Sequence, residues 1–162
     1  MHDRRALIFL GVVAALAAAT VSLAESRRPV SIPERFRTAD AAVVARITAV
    51  RPAYERNQWG DELIISHTVL AVEEALKGAP GQSVAFDVEG GTVGEITLRV
   101  SDMPEVKVGD RGVFFLKRGR SSAHVPHLRG QGILLLDESD RVRGTNLTLG
   151  EIRGMARGGG QQ

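Results

Sequence analysis

The stretch Leu63-Ile64-Ile65-Ser66-His67-Thr68-Val69-Leu70-Ala71-Val72-Glu73-Glu74-Ala75-Leu76 decides the fold. Ile64, Ser66, Thr68, Leu70 and Val72 fall on one side at a period of two, and Ile65, His67, Val69 and Ala71 on the other. That alternation is the mark of a strand with one face turned inward. A helix over residues 69–76 competes with it, but the β-branched pairs Ile64-Ile65 and Thr68-Val69 favour a long strand. After Val72 the apolar positions become Ala75 and Leu76, so the alternation slips. A bulge near Glu73-Glu74 produces such a slip and curls the strand, as wrapping around a small barrel requires.

Outward from this strand the same grammar repeats. Residues 41–50 mix β-branched and small side chains, which predicts a largely buried strand stopped by Pro52. Residues 51–61 read as a polar loop carrying Tyr54, Arg56 and Trp59. Lys77-Gly78-Ala79-Pro80-Gly81 is a turn by composition. Val84, Phe86 and Val88 then alternate with Ser83, Ala85 and Asp87, and residues 95–100 are expected to return beside them after a glycine-rich turn at 90–94. Val113-Phe114-Phe115-Leu116 reads as the most apolar strand past the N-terminal run. Val125 with Leu128 and the run Gly132-Ile133-Leu134-Leu135-Leu136 predict a short strand and a longer one, with Arg141-Val142-Arg143 as a short return. Short strands, turn signals about every ten residues and few helices predict a mainly β fold, an antiparallel barrel or sandwich, and the long bent second strand tips this toward a small closed barrel of about five to seven strands.

The ends read differently. Met1-His2-Asp3-Arg4-Arg5 is a charged stub, residues 6–23 carry no charge, and Ser22-Leu23-Ala24 supplies small side chains before a cut ahead of Glu25. This is the build of a signal peptide over residues 1–24, and it predicts an exported protein, periplasmic or secreted. An uncleaved anchor is the competing reading, but an 18-residue apolar run is at the short edge of what spans a core of ~30 Å. Stable membrane insertion after cleavage is therefore not expected. Residues 25–38 read as a linker with a short helical turn that Pro33 opens, and residues 39–145 as the barrel. Residues 146–157 read as a C-terminal helix in which Thr148 and Glu151 have capping-box spacing, and residues 158–162 as a disordered tail.

The chain has no cysteine, so disulfides, thiol catalysis and thiolate-bound zinc are excluded and stability has to come from a packed core. Lysine and arginine number 21 against 19 acids, and the net charge of +2 falls by one when Asp3, Arg4 and Arg5 leave. Acids and bases alternate without a basic block, and three of the six aromatics past residue 24 sit in strands as core, so no nucleic acid is expected as a partner.

Four segments together carry a resemblance: Ala39-Asp40-Ala41-Ala42-Val43-Val44, Val72-Glu73-Glu74-Ala75-Leu76-Lys77-Gly78, Gly90-Gly91-Thr92-Val93-Gly94, and Val108-Gly109-Asp110 ahead of Val113-Phe114-Phe115-Leu116. Their order resembles a group of small exported bacterial proteins with an OB-like barrel, similar in outline to the fold of the tissue inhibitors of metalloproteinases. The resemblance implies a small antiparallel OB-like β-barrel, flanked here by a short N-terminal helical turn and a C-terminal helix. It covers residues 39–136 and rests on turn and core residues, so it bears on fold. The inhibitors' N-terminal zinc-seeking cysteine has no counterpart in this chain.

No assembled catalytic set is legible. His124-x-x-His127 is interrupted by Pro126, with no acid downstream until Asp137. The serines lack a Gly-x-Ser-x-Gly elbow, and adjacent acids such as Glu73-Glu74 point to opposite faces of a strand. Gly90-Gly91-Thr92-Val93-Gly94 lacks the lysine and the helix of a phosphate loop. His67 reads as a surface or rim histidine. The expectation is a non-catalytic exported binding module without cofactor or metal. It would contact an envelope or extracellular protein or glycan through Tyr54, Arg56 and Trp59, because large aromatics on a polar loop anchor partners; the competing reading is that Tyr54 and Trp59 fold back to cover the open end of the barrel. A protease-inhibitor-like protein and a metal-dependent hydrolase using His124, His127 and Asp137 are the alternatives.

Overall fold

A computed structural model describes residues 29–56, 61–119 and 121–158. The chain forms two units, Met1–Val30 and Ser31–Gln162, and the second carries the fold. It is mainly β. Helix α1 (Ile32–Thr38) precedes strands β1 (Ala41–Arg56), β2 (Glu62–Lys77), β3 (Ser83–Glu89), β4 (Gly91–Val93), β5 (Ile96–Leu98), β6 (Arg111–Arg118), β7 (His124–Pro126) and β8 (Ile133–Leu135). Helix α2 (Leu149–Gly158) closes the order.

Six strands make one sheet in the order β1-β2-β3-β7-β6-β8, and β6 also pairs with β1. The pairings therefore return to their start through β1, β2, β3, β7 and β6. The sheet is mixed, which corrects the expectation of an antiparallel one: β3 and β7 run parallel, Phe86 opposite His124. The reason is parity. Neighbours that alternate direction cannot do so all the way round an odd ring, so one of its five seams must be parallel. The closure is also uneven, because that seam holds a single residue pair while β1 and β2 pair almost end to end.

The bulges that bend β2 lie where its alternation slips. Val44 pairs with Glu74 and Ala45 with Val72, leaving Glu73 unpaired, and the step from Ala42 to Val43 leaves out Leu76 in the same way. Thr48 is the extra residue on β1. Ahead of the bulges, Ile64, Ser66, Thr68 and Leu70 are buried, as the period of two requires.

Residues 41–45 of β1 and 112–116 of β6 are buried on both faces, which is why these stretches run apolar without alternation. Val43, Ala45, Ile47, Phe114 and Leu116 face the interior with Phe86. Ala42, Val44, Val113 and Phe115 face outward beneath the helices, against Phe36 of α1 and Leu149 and Ile152 of α2. Each fully buried side chain of this size is worth roughly 1.5–3 kcal/mol, so two layers share one pair of strands.

Local chemistry seats the helices. Ser31 accepts from the Glu34 amide and begins α1. Lys77 Nζ donates to the carbonyls of Phe36, Arg37 and Ala39, satisfying the orphan acceptors at the other end and tying α1 to β2. At α2, Thr148 Oγ1 accepts from the Glu151 amide while Glu151 Oε2 accepts from the Thr148 amide at 2.8 Å, the reciprocal pattern that the spacing predicts. Thr148→Ala is expected to cost about 1 kcal/mol in urea unfolding. No measurable change would show that Leu149 and Ile152 alone hold the helix in place.

The strand ahead of residue 56 is longer than the sequence suggested. Pro52 does not stop β1. β6 reaches only from Ala41 to Arg46 along it, so at Pro52 the strand has no second neighbour and the missing N–H breaks no ladder bond. Residues 95–100 do not return beside β3 either. β5 pairs instead with β4, Val93 opposite Ile96 across a turn in which Gly94 has φ +59°.

Candidate functional site

Beyond Ile47 on β1 and before Ile65 on β2, the two strands pair chiefly with each other and form a ribbon that leaves the ring. Tyr54 and Arg56 lie on this ribbon, in strand rather than in a loop. Trp59 lies outside the described residues. Pro52 sits opposite Ser66, Tyr54 opposite Ile64 and Arg56 opposite Glu62. Ser66 and Ile64 are buried on the inner face, so Pro52, Tyr54 and Arg56 share that face. Tyr54 is 45% exposed there.

The inner face leads down to a cleft of about 420 Å³ at the end of the ring. Ser66 and Val88 form its floor, the β4–β5 hairpin one wall, and Val100, Met103 and Val106 the other. Gly91 joins ribbon and cleft. It has φ +135°, and a Cβ there would lie 2.5 Å from Ser66 Oγ and 3.0 Å from Pro52 Cβ, so only glycine lets the hairpin approach the ribbon this closely. The Ser66 hydroxyl donates to the Gly90 carbonyl at 2.7 Å, and Thr68 Oγ1 to the Phe86 carbonyl at 2.5 Å, so the buried hydroxyls are satisfied. Arg99 lines the cleft and makes no ion pair among the described residues.

A salt-bridge clamp holds the far wall. Arg129 Nε donates to Asp102 Oδ2 at 2.5 Å, and its Nη2 and Nη1 donate to Glu89 at 2.8 and 3.2 Å. Asp102 first, then Glu89, raises the guanidinium's already high pKa further, and the hydrogen bond from Arg129 holds the Asp102 carboxyl below its ordinary value. Sequence reasoning missed this clamp because it joins residues 27 and 40 positions apart.

The outer face of the same strands holds a second cluster. His67 on β2 faces Asp87 on β3, with Nδ1 2.8 Å from Asp87 Oδ1, while its Nε2 lies 2.9 Å from Glu55 Oε1 on β1. An Asp-His pair is the orienting half of a nucleophilic triad, but here the second nitrogen meets a carboxylate rather than a hydroxyl, so no nucleophile is activated. The alternation placed His67 on the outer face; only the strand register supplies its partners.

His124, His127 and Asp137 are placed on unrelated partners. His124 lies on β7 at the parallel seam. His127 Nε2 meets Thr38 Oγ1 at 2.7 Å, and desolvation first, then the nearby Lys117, lowers its pKa. Asp137 accepts from the Ser139 and Arg141 amides in a tight turn. Among the described residues no three histidine or acidic side chains converge as a metal would need, and no helix is long and apolar enough to cross a membrane.

No protein-family model matches this chain, and no curated protein does.

Proposed function

We propose that the protein is an exported, non-catalytic binding module built on an OB-like barrel, and that it holds an envelope or extracellular protein or glycan along the inner face of the β1–β2 ribbon. The observation that carries this reading is the exposure of Tyr54, with Arg56 two residues on, on the same ribbon face whose Ser66 lines the cleft. A tyrosine offers a broad apolar ring with a polar tip, and Arg56 adds a fixed charge and several donors, the pairing that anchors partner segments and sugars. The order of the ring, β1-β2-β3-β7-β6 and back to β1, supports the OB-like reading. In such barrels the loop between the first two strands is part of the contact surface.

The test is a photo-crosslinking residue placed at position 54 of the chain in its source cells, with one at the exposed Val108 as control. A discrete adduct at position 54 that is absent at 108 is the expected result. Tyr54→Ala with Arg56→Ala should abolish capture of that partner and leave the melting temperature unchanged, since both side chains are exposed. Equal labelling at both positions, or capture that survives the double substitution, ends the proposal.

A further inference from the structure

The ribbon that carries Tyr54 is joined to β3 by the strand ladder and by the Gly90 amide at the Ile64 carbonyl, and on its outer face one histidine adds a side-chain tie. His67 lies on the middle strand of three, its Nδ1 at Asp87 on β3 and its Nε2 at Glu55 on β1. The Cα partner of Glu55 is Leu63, four positions before His67, so Glu55 reaches back along the ribbon to the imidazole. Arg51 stands directly across from His67 on β1, and Glu89, two residues past Asp87 on β3, is held by Arg129. Those are the charged groups that face the imidazole from the strands on either side.

A histidine can satisfy two carboxylates only while both nitrogens carry protons. Once neutral it keeps one N–H, and the other nitrogen turns a lone pair toward an acid. Asp87 is the less exposed acceptor, with 19% of its side chain accessible against 49% for Glu55. The remaining proton therefore stays on Nδ1 with Asp87, and the Glu55 contact is the one that breaks. Glu55 lies between Tyr54 and Arg56, so its release frees the segment that presents both.

We infer that His67 is a pH-sensitive clasp that pins residues 53–56 of β1 while the imidazole is doubly protonated and loosens them once it is neutral. The hydrogen bond to Asp87 first, then the two negative charges, holds the imidazole pKa above its ordinary value despite partial burial. The sign follows: the clasp is fully engaged below the ordinary histidine pKa and is lost as pH rises through the higher native one. The inference names the regulation of the contact face proposed above and rests on that reading for its consequence, but the clasp itself is read without any partner.

The experiment is an NMR titration of the full chain, following the histidine rings and amide exchange at residues 53–56. His67 is expected to titrate above the ordinary value and His127 below it. Asp87→Asn should return His67 toward that value, and Glu55→Gln should lower it less. Amide protection at residues 53–56, corrected for intrinsic exchange, should fall about 2- to 5-fold across the His67 titration, the size of one exposed charge pair. In Glu55→Gln and in His67→Gln that step should vanish. Titration of His67 at or below the ordinary value, or a step that persists in His67→Gln, overturns the inference. A normal step in a protein whose Tyr54 contacts nothing would leave the clasp standing and sink the binding proposal instead.

Discussion

Replacing Phe86 by alanine is expected to lower stability by about 3–5 kcal/mol, the cost of emptying a large aromatic site in a core. Phe86 is wholly buried, and its ring meets Phe114 across the interior edge-to-face, with centroids 5.6 Å apart at 78°. Two features keep the site from collapsing to fill the gap. The Phe86 backbone is held by the Thr68 hydroxyl at its carbonyl, and it forms the one parallel pair, with His124, that joins β3 to β7. The ring therefore supports the seam where the closure is thinnest. Since small domains have only about 5–15 kcal/mol in hand, the variant should melt roughly 10–20 °C lower. Phe86→Leu, which keeps most of the volume, should lose much less. Calorimetry on both settles the matter: an alanine variant within 1 kcal/mol of the parent, by the scale of ordinary surface changes, would mean that the interior is not the single packed unit described above.

Gly130→Ala is expected to be nearly as severe, for a different reason. Gly130 lies in the short 3-10 turn Arg129–Gly132, and a Cβ there would sit 1.8 Å from the Asp102 carbonyl oxygen and 3.1 Å from Met103 Cα. Those are backbone atoms, so no rotamer relieves the overlap, and the wall of the cleft has to move. The neighbouring Arg129 holds that same wall through Asp102 and Glu89, and the added methyl would pry the guanidinium from at least one of them. A loss of about 2–3 kcal/mol follows from overpacking of this kind. Hydrogen exchange should quicken over residues 99–106 while β1 and β2 keep their protection. Uniform quickening throughout would show that the turn is part of the global core rather than a local brace.

Several elements were legible because their cause is local. The period of two in residues 63–72 and its failure at Glu73 record an inward face and a bulge, both carried by adjacent residues. The unbroken apolar runs Ala41-Ala42-Val43-Val44-Ala45 and Val113-Phe114-Phe115-Leu116 record strands covered on both faces. The Thr148-x-x-Glu151 spacing records its own cap. The candidate contact residues were partly legible: composition singled out Tyr54 and Arg56, but Pro52 misled as to their setting. A proline ends a central strand and not an edge strand, and β1 becomes an edge only because β6 stops at Arg46.

The amino-acid sequence by itself determined the mainly β composition, the thiol-free core, the curl of β2 and the caps of α2, since each depends on residues within a few positions of one another. Tertiary structure alone decided the parallel β3–β7 seam, the self-paired β4–β5 hairpin, the inward setting of Tyr54, and the groupings Arg129–Glu89–Asp102 and Glu55–His67–Asp87. Each of these depends on which strands become neighbours and in what register. That choice is made by the burial of two faces at once and by the parity of a five-membered ring, and neither is recorded in the periodicity of any single segment.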